Sequence, residues 1–442
     1  MTEPRMIDLR VADAIAPALL RRAESDLGRF LEGAQAIIAR VRAEGDAALL
    51  DLARTIERVE AADFALAVSE AEFAAADATL DPAVGAALDV AIANIRRFHE
   101  AQKPEEMWLK EIRPGAFAGD RFRPIPSVAC YVPRGKGSFP SVLMMTTIPA
   151  MVAGVPRVVV LTPPGPDGRV DAATLVAARR VGVHAVYKTG GAAAVAAAAL
   201  GTATIPRCDK IVGPGSPWVV AAKRLLADAI DTGTPAGPSE CIVLADGSAD
   251  GRLAALDLII ESEHGPDSSA YLVTDSLAVA QAAAAALPGH WSALGEQRRG
   301  FSQAVLCGPQ GGIVLTRDFD AAIGFVNAYA PEHLEILAAD PLAVLGRIDH
   351  AGEILLGSRT PVTLANFVLG PNAVLPTGGT ARTASPLSVF DYLKRSSVGW
   401  ITPAAYEDLA RHARVLARYE GFDGHAEAIS ERREAILRGP AS

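Results

Sequence analysis

The segment "YAPEHLEI", residues 329–336, sets Glu332 directly beside His333. A carboxylate and an imidazole are side chains suited to moving protons near neutral pH. The pair falls between a helical pattern at 318–330 and an apolar strand-like run at 334–337, so it occupies a short helix-to-strand connection. A second segment, "ESEHGPDS" (261–268), spaces Glu261 and His264 three apart, on one face of a helix. An oxygen and a nitrogen at that spacing can serve as metal ligands. A charged helix end with a histidine favoured by the dipole has the same pattern. A third, "EGFDGH" (420–425), carries Glu420 and His425 at a helix break, where a solvated kink is the plainer reading. A fourth, "PVTLANFVLGPNAVLPTGG" (361–379), has little charge, much Gly and Pro, and the amides Asn366 and Asn372. An apolar loop with a few convergent amides can line a pocket. His99, His184, His290, His350 and His412 have no suggestive setting and read as structural or surface residues.

The elements that must position these groups follow from periodicity. Residues 21–113 have apolar side chains at helical spacing. From 124 onward, apolar runs such as "SVACYV", "RVVVLT", "DKIV", "ECIVLA", "AYLVTD", "GGIVLT" and "GEILL" alternate with helical patterns. That alternation implies βαβ units and parallel sheet. The reading is α/β with two Rossmann-like, doubly wound lobes. It divides the chain into a helical N-terminal segment (1–120), a first lobe (121–245), a second lobe (246–380) and a small helical C-terminal domain (381–442). No GxGxxG or GxxxxGK[ST] is present, so no nucleotide fingerprint supports the lobes. Gly190-Gly191 and Gly213-Pro214-Gly215 do stand at βα turns, where backbone N–H groups can face a phosphate and a plain turn is the simpler use.

A net charge of −9 argues against nucleic acid and against an anionic membrane as partner. Cys130, Cys208, Cys241 and Cys307 are far apart and form no CxxC, which points to free thiols in a reducing cytoplasm. The N-terminus "MTEPRMIDLR" has no apolar segment of the signal-peptide kind, and no apolar run reads as a membrane span.

Taken together and in order, "YVPRGKGSFPSVLMMTTIPAMVAGV", "DKIVGPG", "AGPSE", "EHGPDS", "APEHLEI" and "GPNAVLPTGG" closely resemble histidinol dehydrogenase, over nearly the whole chain. The resemblance implies a zinc-dependent homodimer that oxidises a primary alcohol twice, through an aldehyde to a carboxylate, with two NAD. The C-terminal region of one subunit would complete the site of the other. It assigns acid–base roles to Glu332 and His333. The zinc ligands would be Glu261, His264, Asn366 and His425, the substrate contacts Ser239 and Glu420, and the NAD contacts Tyr131, Ala193 and Ser216. The pattern departs from the family in several places. Glu261 stands where the family has an amide and Asn366 where it has a carboxylate, so the shell keeps its charge but moves it. Ala373 replaces a substrate-binding histidine. Ala193 and Ser216 replace an amide pair at NAD-contacting positions. These changes open three further readings: a paralogue acting on another small polar alcohol such as a sulfonated propanediol, a non-catalytic relative, and an NAD-independent reaction at the same metal.

Overall fold

The computed structural model describes residues 3–12, 14–22, 27–134, 137–234 and 236–439. Gly135 and Lys136 of the "PRGKGSFP" loop lie outside the described residues. The strands in chain order are β1 (Met6–Asp8), β2 (Met107–Arg113), β3 (Ala116–Pro124), β4 (Ser127–Tyr131), β5 (Arg157–Thr162), β6 (Val186–Lys188) and β7 (Lys210–Val212). They continue as β8 (Glu240–Ala245), β9 (Ser269–Thr274), β10 (Gly311–Leu315), β11 (His333–Leu337), β12 (Glu353–Leu356) and β13 (Leu393–Ile401).

The chain divides into two units, Met1–Lys103 with Ile125–Tyr392, and Pro104–Pro124 with Leu393–Ser442. The first unit holds two parallel sheets. One has the order β6-β5-β4-β7 and the other β1-β10-β9-β8-β11-β12. In each, one inner strand (β4, β8) has two neighbours that both follow it in the chain, and from them the sheet extends toward its opposite edges. The strands read as continuous apolar runs because both faces are covered. Along β8, Cys241, Val243 and Ala245 enter one core, with Leu258 and Leu287, while Ile242 and Leu244 enter another, with Phe325 and Tyr329. Two helices beside the site are capped by aspartates. Asp250 accepts from Arg252 N at 2.9 Å and starts Gly251–Ser262, and Asp318 accepts from Ala321 N at 2.7 Å and starts Phe319–Tyr329. Each such cap satisfies a free N–H of the first turn.

The second unit is a three-stranded antiparallel sheet, β13-β3-β2, with helices Pro403–Tyr419, Asp423–Ala428 and Glu431–Arg438. Every residue of β2 is exposed, and Trp400 stacks on Phe117 with ring centroids 4.9 Å apart.

Three details differ from the sequence reading. The stretch expected to be helical to residue 120 contains β2 and β3, and the expected helical tail contains β13. All three are polar strands whose pairing joins segments distant in sequence, which local periodicity does not register. The boundary at 245 also moves, because β8 lies between β9 and β11 in the six-stranded sheet.

Candidate active site

The chemistry gathers at the amino edge of the six-stranded sheet. Glu240, His333 and Glu353 are the first residues of the adjacent strands β8, β11 and β12, with His333 in register with both Cys241 and Glu353. Ser239 and Glu332 immediately precede two of these strands. The Gly251–Ser262 helix ends at the same edge and supplies Glu261 and, just past its end, His264. Asn366 arrives on a wide helical turn, Ala365–Leu369; such π-type turns recur at functional sites.

Glu261, Asn366 and His264 form one hydrogen-bonded group. Asn366 Nδ2 donates to Glu261 Oε1 at 3.0 Å, and His264 Nδ1 lies 3.3 Å from Glu261 Oε2 and 3.0 Å from the Ile260 carbonyl. Ser239 also hydrogen-bonds Glu261. Burial opposes the charge of Glu261, yet His264, His333, Asn366 and Ser239 outweigh it and hold the carboxyl below its usual range.

Glu332 and His333 are both buried, at 7% and 3% exposure. Burial pushes Glu332 up to about 8, with Glu261 and Glu240 adding to the shift, while His333 and a 2.8 Å hydrogen bond from Glu240 N work against it. Burial pulls His333 down, but the negative field of Glu261, Glu353 and Glu332 prevails and raises it to about 9. These groups titrate together, and each directs the proton affinity of the other. His333 Nδ1 lies 3.0 Å from Glu353 Oε2.

The turn that carries Glu332 is clamped. Ala330 closes the Phe319–Tyr329 helix at φ +54, a left-handed conformation unusual for a side chain larger than glycine. The Arg22 guanidinium holds this turn by donating to the Tyr329 carbonyl and lies 3.6 Å from the centroid of the Tyr329 ring. The same guanidinium pairs with both oxygens of Glu240, at 3.1 and 3.2 Å, and Gly378 N donates to Glu240 at 2.6 Å. Tyr329 and Ser269 share a hydroxyl–hydroxyl bond of 2.6 Å.

The four-stranded sheet carries a second polar constellation at the carboxyl ends of its strands. Tyr131 ends β4, and its phenol oxygen accepts from Gly191 N at 3.2 Å at the start of the Gly191–Leu200 helix. Gly213 follows β7 at φ +109, where a Cβ would meet the Tyr131 carbonyl oxygen at 2.2 Å, so only glycine fits. Lys223 donates to the Gly213 carbonyl at 2.8 Å. The place where strand order reverses, between β4 and β7, is where open parallel sheets form crevices.

The profile of the histidinol dehydrogenase family matches residues 20–433. The chain belongs to the histidinol dehydrogenase family. "Histidinol dehydrogenase homolog 2" of Mesorhizobium japonicum is 62% identical over 440 residues, covering 99% of this chain and 100% of that one. "Histidinol dehydrogenase" of Synechocystis sp. is 48% identical, covering 95% and 96%. The crystal structure of histidinol dehydrogenase from Elizabethkingia anophelis superposes with a TM-score of 0.92 at 28% identity, covering 99% of both chains.

Set against the residues expected from the family motifs, the first unit by itself brings together Glu261, His264, Asn366, Ser239, Glu332 and His333. Among the described residues no three His, Cys, Asp or Glu side chains form a metal cage; the third donor of this group is the Asn366 amide. Glu420 and His425 belong to the second unit, where both are exposed, at the end of Pro403–Tyr419 and within Asp423–Ala428. Tyr131 and Ala193 are buried, and Ser216 is exposed at the start of Pro217–Leu225. Sequence reading passed over Glu353, Glu240 and Arg22. An acid as the first residue of an apolar strand, in "SECIVLA" and "GEILLG", was the available signal for the two glutamates; Arg22 had none. His99, read as unremarkable, is fully buried between Gln102 (2.8 Å) and Asn372 (3.3 Å) and anchors the loop that carries Ala373.

Proposed function

We propose that this protein is a zinc-dependent, NAD-linked dehydrogenase that oxidises a small primary alcohol through its aldehyde to a carboxylate. The observation that carries the reading is the buried Glu332–His333 pair set beside the Glu261–His264–Asn366 donor group at one sheet edge.

The donor set fits zinc. It offers a carboxylate oxygen, an imidazole nitrogen and an amide oxygen, with room for further ligands. His264 turns Nδ1 toward the Ile260 carbonyl, which leaves Nε2 as the ligating atom, the usual second-shell arrangement of a metal-bound histidine. His425 would complete the set, from the partner subunit if the family's dimer holds. The exposed apolar side chains of the second unit, among them Trp108, Ile112, Leu416, Tyr419 and Phe422, support such a dimer. For NAD, the fit rests on the Tyr131–Gly191 contact, the Gly213 turn and the neighbouring Ala193 and Ser216, with the two parallel sheets read as Rossmann-like lobes. When bound, zinc holds and polarises the substrate oxygen and NAD accepts hydride.

The chain's own groups then move the protons. His333 Nε2 takes the hydroxyl proton as hydride leaves the carbinol carbon. For the second oxidation Glu332 takes a proton from water as its oxygen adds to the aldehyde carbon, and His333 accepts the proton of the resulting hydrate as the second hydride leaves. One alcohol, two NAD and one water thus give one carboxylate, two NADH and three protons. Two buried, adjacent acceptors suit two successive proton removals. Ser239 and Glu420 would contact the substrate. The acidic protein would act in the cytoplasm, with neither nucleic acid nor membrane as partner.

A second substrate reading is favoured by Ala373 and by the exchanged charge between Glu261 and Asn366. Without an imidazole-reading side chain at 373, a non-imidazole alcohol such as a sulfonated propanediol is the better fit, with L-histidinol the family default. The test is NADH formation by zinc-loaded protein with L-histidinol and with 2,3-dihydroxypropane-1-sulfonate, alongside His333→Ala. Turnover of either alcohol that the substitution abolishes supports the chemistry and names the substrate. Zinc-loaded protein that oxidises neither and binds no NAD would refute the dehydrogenase reading.

A further inference from the structure

We propose that Glu353 is the positioning residue for His333. It fixes the imidazole proton on Nδ1, so that Nε2 is the basic nitrogen offered to substrate, and it stabilises the imidazolium formed when that nitrogen takes a proton. The inference rests on the reading of His333 as the base.

Geometry carries the argument. His333 and Glu353 are register partners on parallel strands, so their side chains leave the sheet side by side. The 3.0 Å contact joins Nδ1 to Glu353 Oε2, with both side chains buried. Backbone bonds make the spacing rigid. Glu353 N donates to the Glu332 carbonyl at 2.8 Å and Gly352 N to the Pro331 carbonyl at 2.9 Å. The strand bearing the carboxylate is thereby tied to the turn bearing the acid–base pair. A carboxylate accepts and does not donate, so this contact requires N–H at Nδ1, and in the neutral ring the lone pair is then on Nε2. The same division of labour, in which a buried acid orients a histidine without itself taking the proton, operates in hydrolase triads. Among the described residues Glu353 Oε1 has no hydrogen-bond partner, so the carboxylate's side-chain contact there is spent on His333. The other charges acting on the imidazole are Glu261 from the Gly251–Ser262 helix and Glu332 from the preceding turn. Of this group only Glu353 bonds to the ring.

The experiment combines two readouts. In zinc-loaded protein labelled with 15N-imidazole histidine, long-range 15N–1H correlation spectra identify the His333 tautomer, assigned by its loss in His333→Ala. The expected form carries the proton on Nδ1, and Glu353→Gln, whose amide can either donate or accept, mixes the tautomers. In kinetics, Glu353→Gln is expected to lower kcat by roughly 10- to 1000-fold, with KM changed less than about threefold and the acid limb of kcat/KM moved about one unit or more to lower pH. An Nε2–H tautomer in the wild-type protein would overturn the assignment without reference to any substrate. So would Glu353→Gln with wild-type kcat and an unmoved limb. Full turnover by His333→Ala, with the Nδ1–H tautomer still observed in the parent, would instead remove His333 as the base while leaving the contact itself in place.

Discussion

One layer beneath Glu261 and His333, two further carboxyls meet. Asp257 lies one turn before Glu261 on the same helix, and Glu335 lies two residues beyond His333 on the same strand face. They are 3% and 0% exposed, and among the described residues no cation faces them. Among the described residues both Glu335 oxygens and Asp257 Oδ2 lack a donor from any other group. A proton on one carboxyl is therefore the donor that lets the pair bond. Burial raises both; Asp257 raises Glu335 further, while the hydrogen bond with Glu335 partly offsets the rise of Asp257, which moves from 3.8 to about 6, and Glu335 moves further in the same direction. A folded-state pKa above the unfolded value means that the native chain binds more protons than the unfolded one. Stability from the pair is thus full below about pH 4 and is lost as pH rises through the raised values. The smaller displacement alone, about two units, corresponds to ~3 kcal/mol at 1.36 kcal/mol per unit. Glu335→Gln supplies an amide donor that needs no titrating proton. In urea unfolding the variant is expected to lie within ~1 kcal/mol of the parent near pH 5 and to exceed it by ~1–3 kcal/mol near pH 9. A parallel dependence of the two proteins on pH would refute the shared-proton pair.

Arg22→Ala would leave the Glu240 carboxylate, 2% exposed, with the Gly378 N–H but no cation. A loss of ~2–4 kcal/mol in urea unfolding is expected, and kcat should fall more than KM rises because the Glu332 turn is released. Burial depresses Lys223 from 10.5 to about 8. The unfolded chain therefore binds the extra proton between those values, and wild-type stability should gain ~1–3 kcal/mol as pH rises from about 8 to 10; Lys223→Met should lack that gain. Glu261→Ala removes the only carboxylate of the donor group and should abolish stoichiometric zinc retention, measured by elemental analysis after gel filtration.

The parallel sheets were legible because their strands are apolar on both faces and separated by amphipathic helices, a pattern that chain-local statistics contain. Strands β2, β3 and β13 were not. "MWLKEIR" and "LKRSSVGWI" alternate weakly, and only their mutual pairing makes them strands. The order of "ECIVLA" along the chain also did not disclose which sheet it would enter, since a parallel strand has two possible sets of neighbours. At the site, the residues with rare chemistry, Glu332, His333, Glu261 and His264, stood out as motifs. The groups that tune them did not. Glu240 and Glu353 converge on the pair only through sheet register, and Arg22 reaches it from a segment with no motif at all.

The electrostatics of the sheet edge lead to a last test. Glu261, Glu332 and Glu353 act on the His333 imidazole, and Glu240, paired with Arg22, acts on Glu332. In the metal-free chain burial, reinforced by Glu261 and Glu240, holds Glu332 high, while the field of Glu261, Glu353 and Glu332 raises His333 against its burial. A dication held by Glu261, His264 and Asn366 would oppose the negative field that raises His333 and adds to the burial of Glu332. Both groups should then release protons as the metal binds. Titration calorimetry of zinc into metal-free protein near pH 8, in buffers of different ionisation enthalpy, is expected to show release of about half a proton to one and a half protons per zinc. Glu332→Gln should bind zinc with similar stoichiometry and release measurably fewer. Zinc binding at one per chain with a heat independent of buffer would mean that the dication does not reach the field of this pair, and the donor group would have to serve some site other than the one that moves the protons.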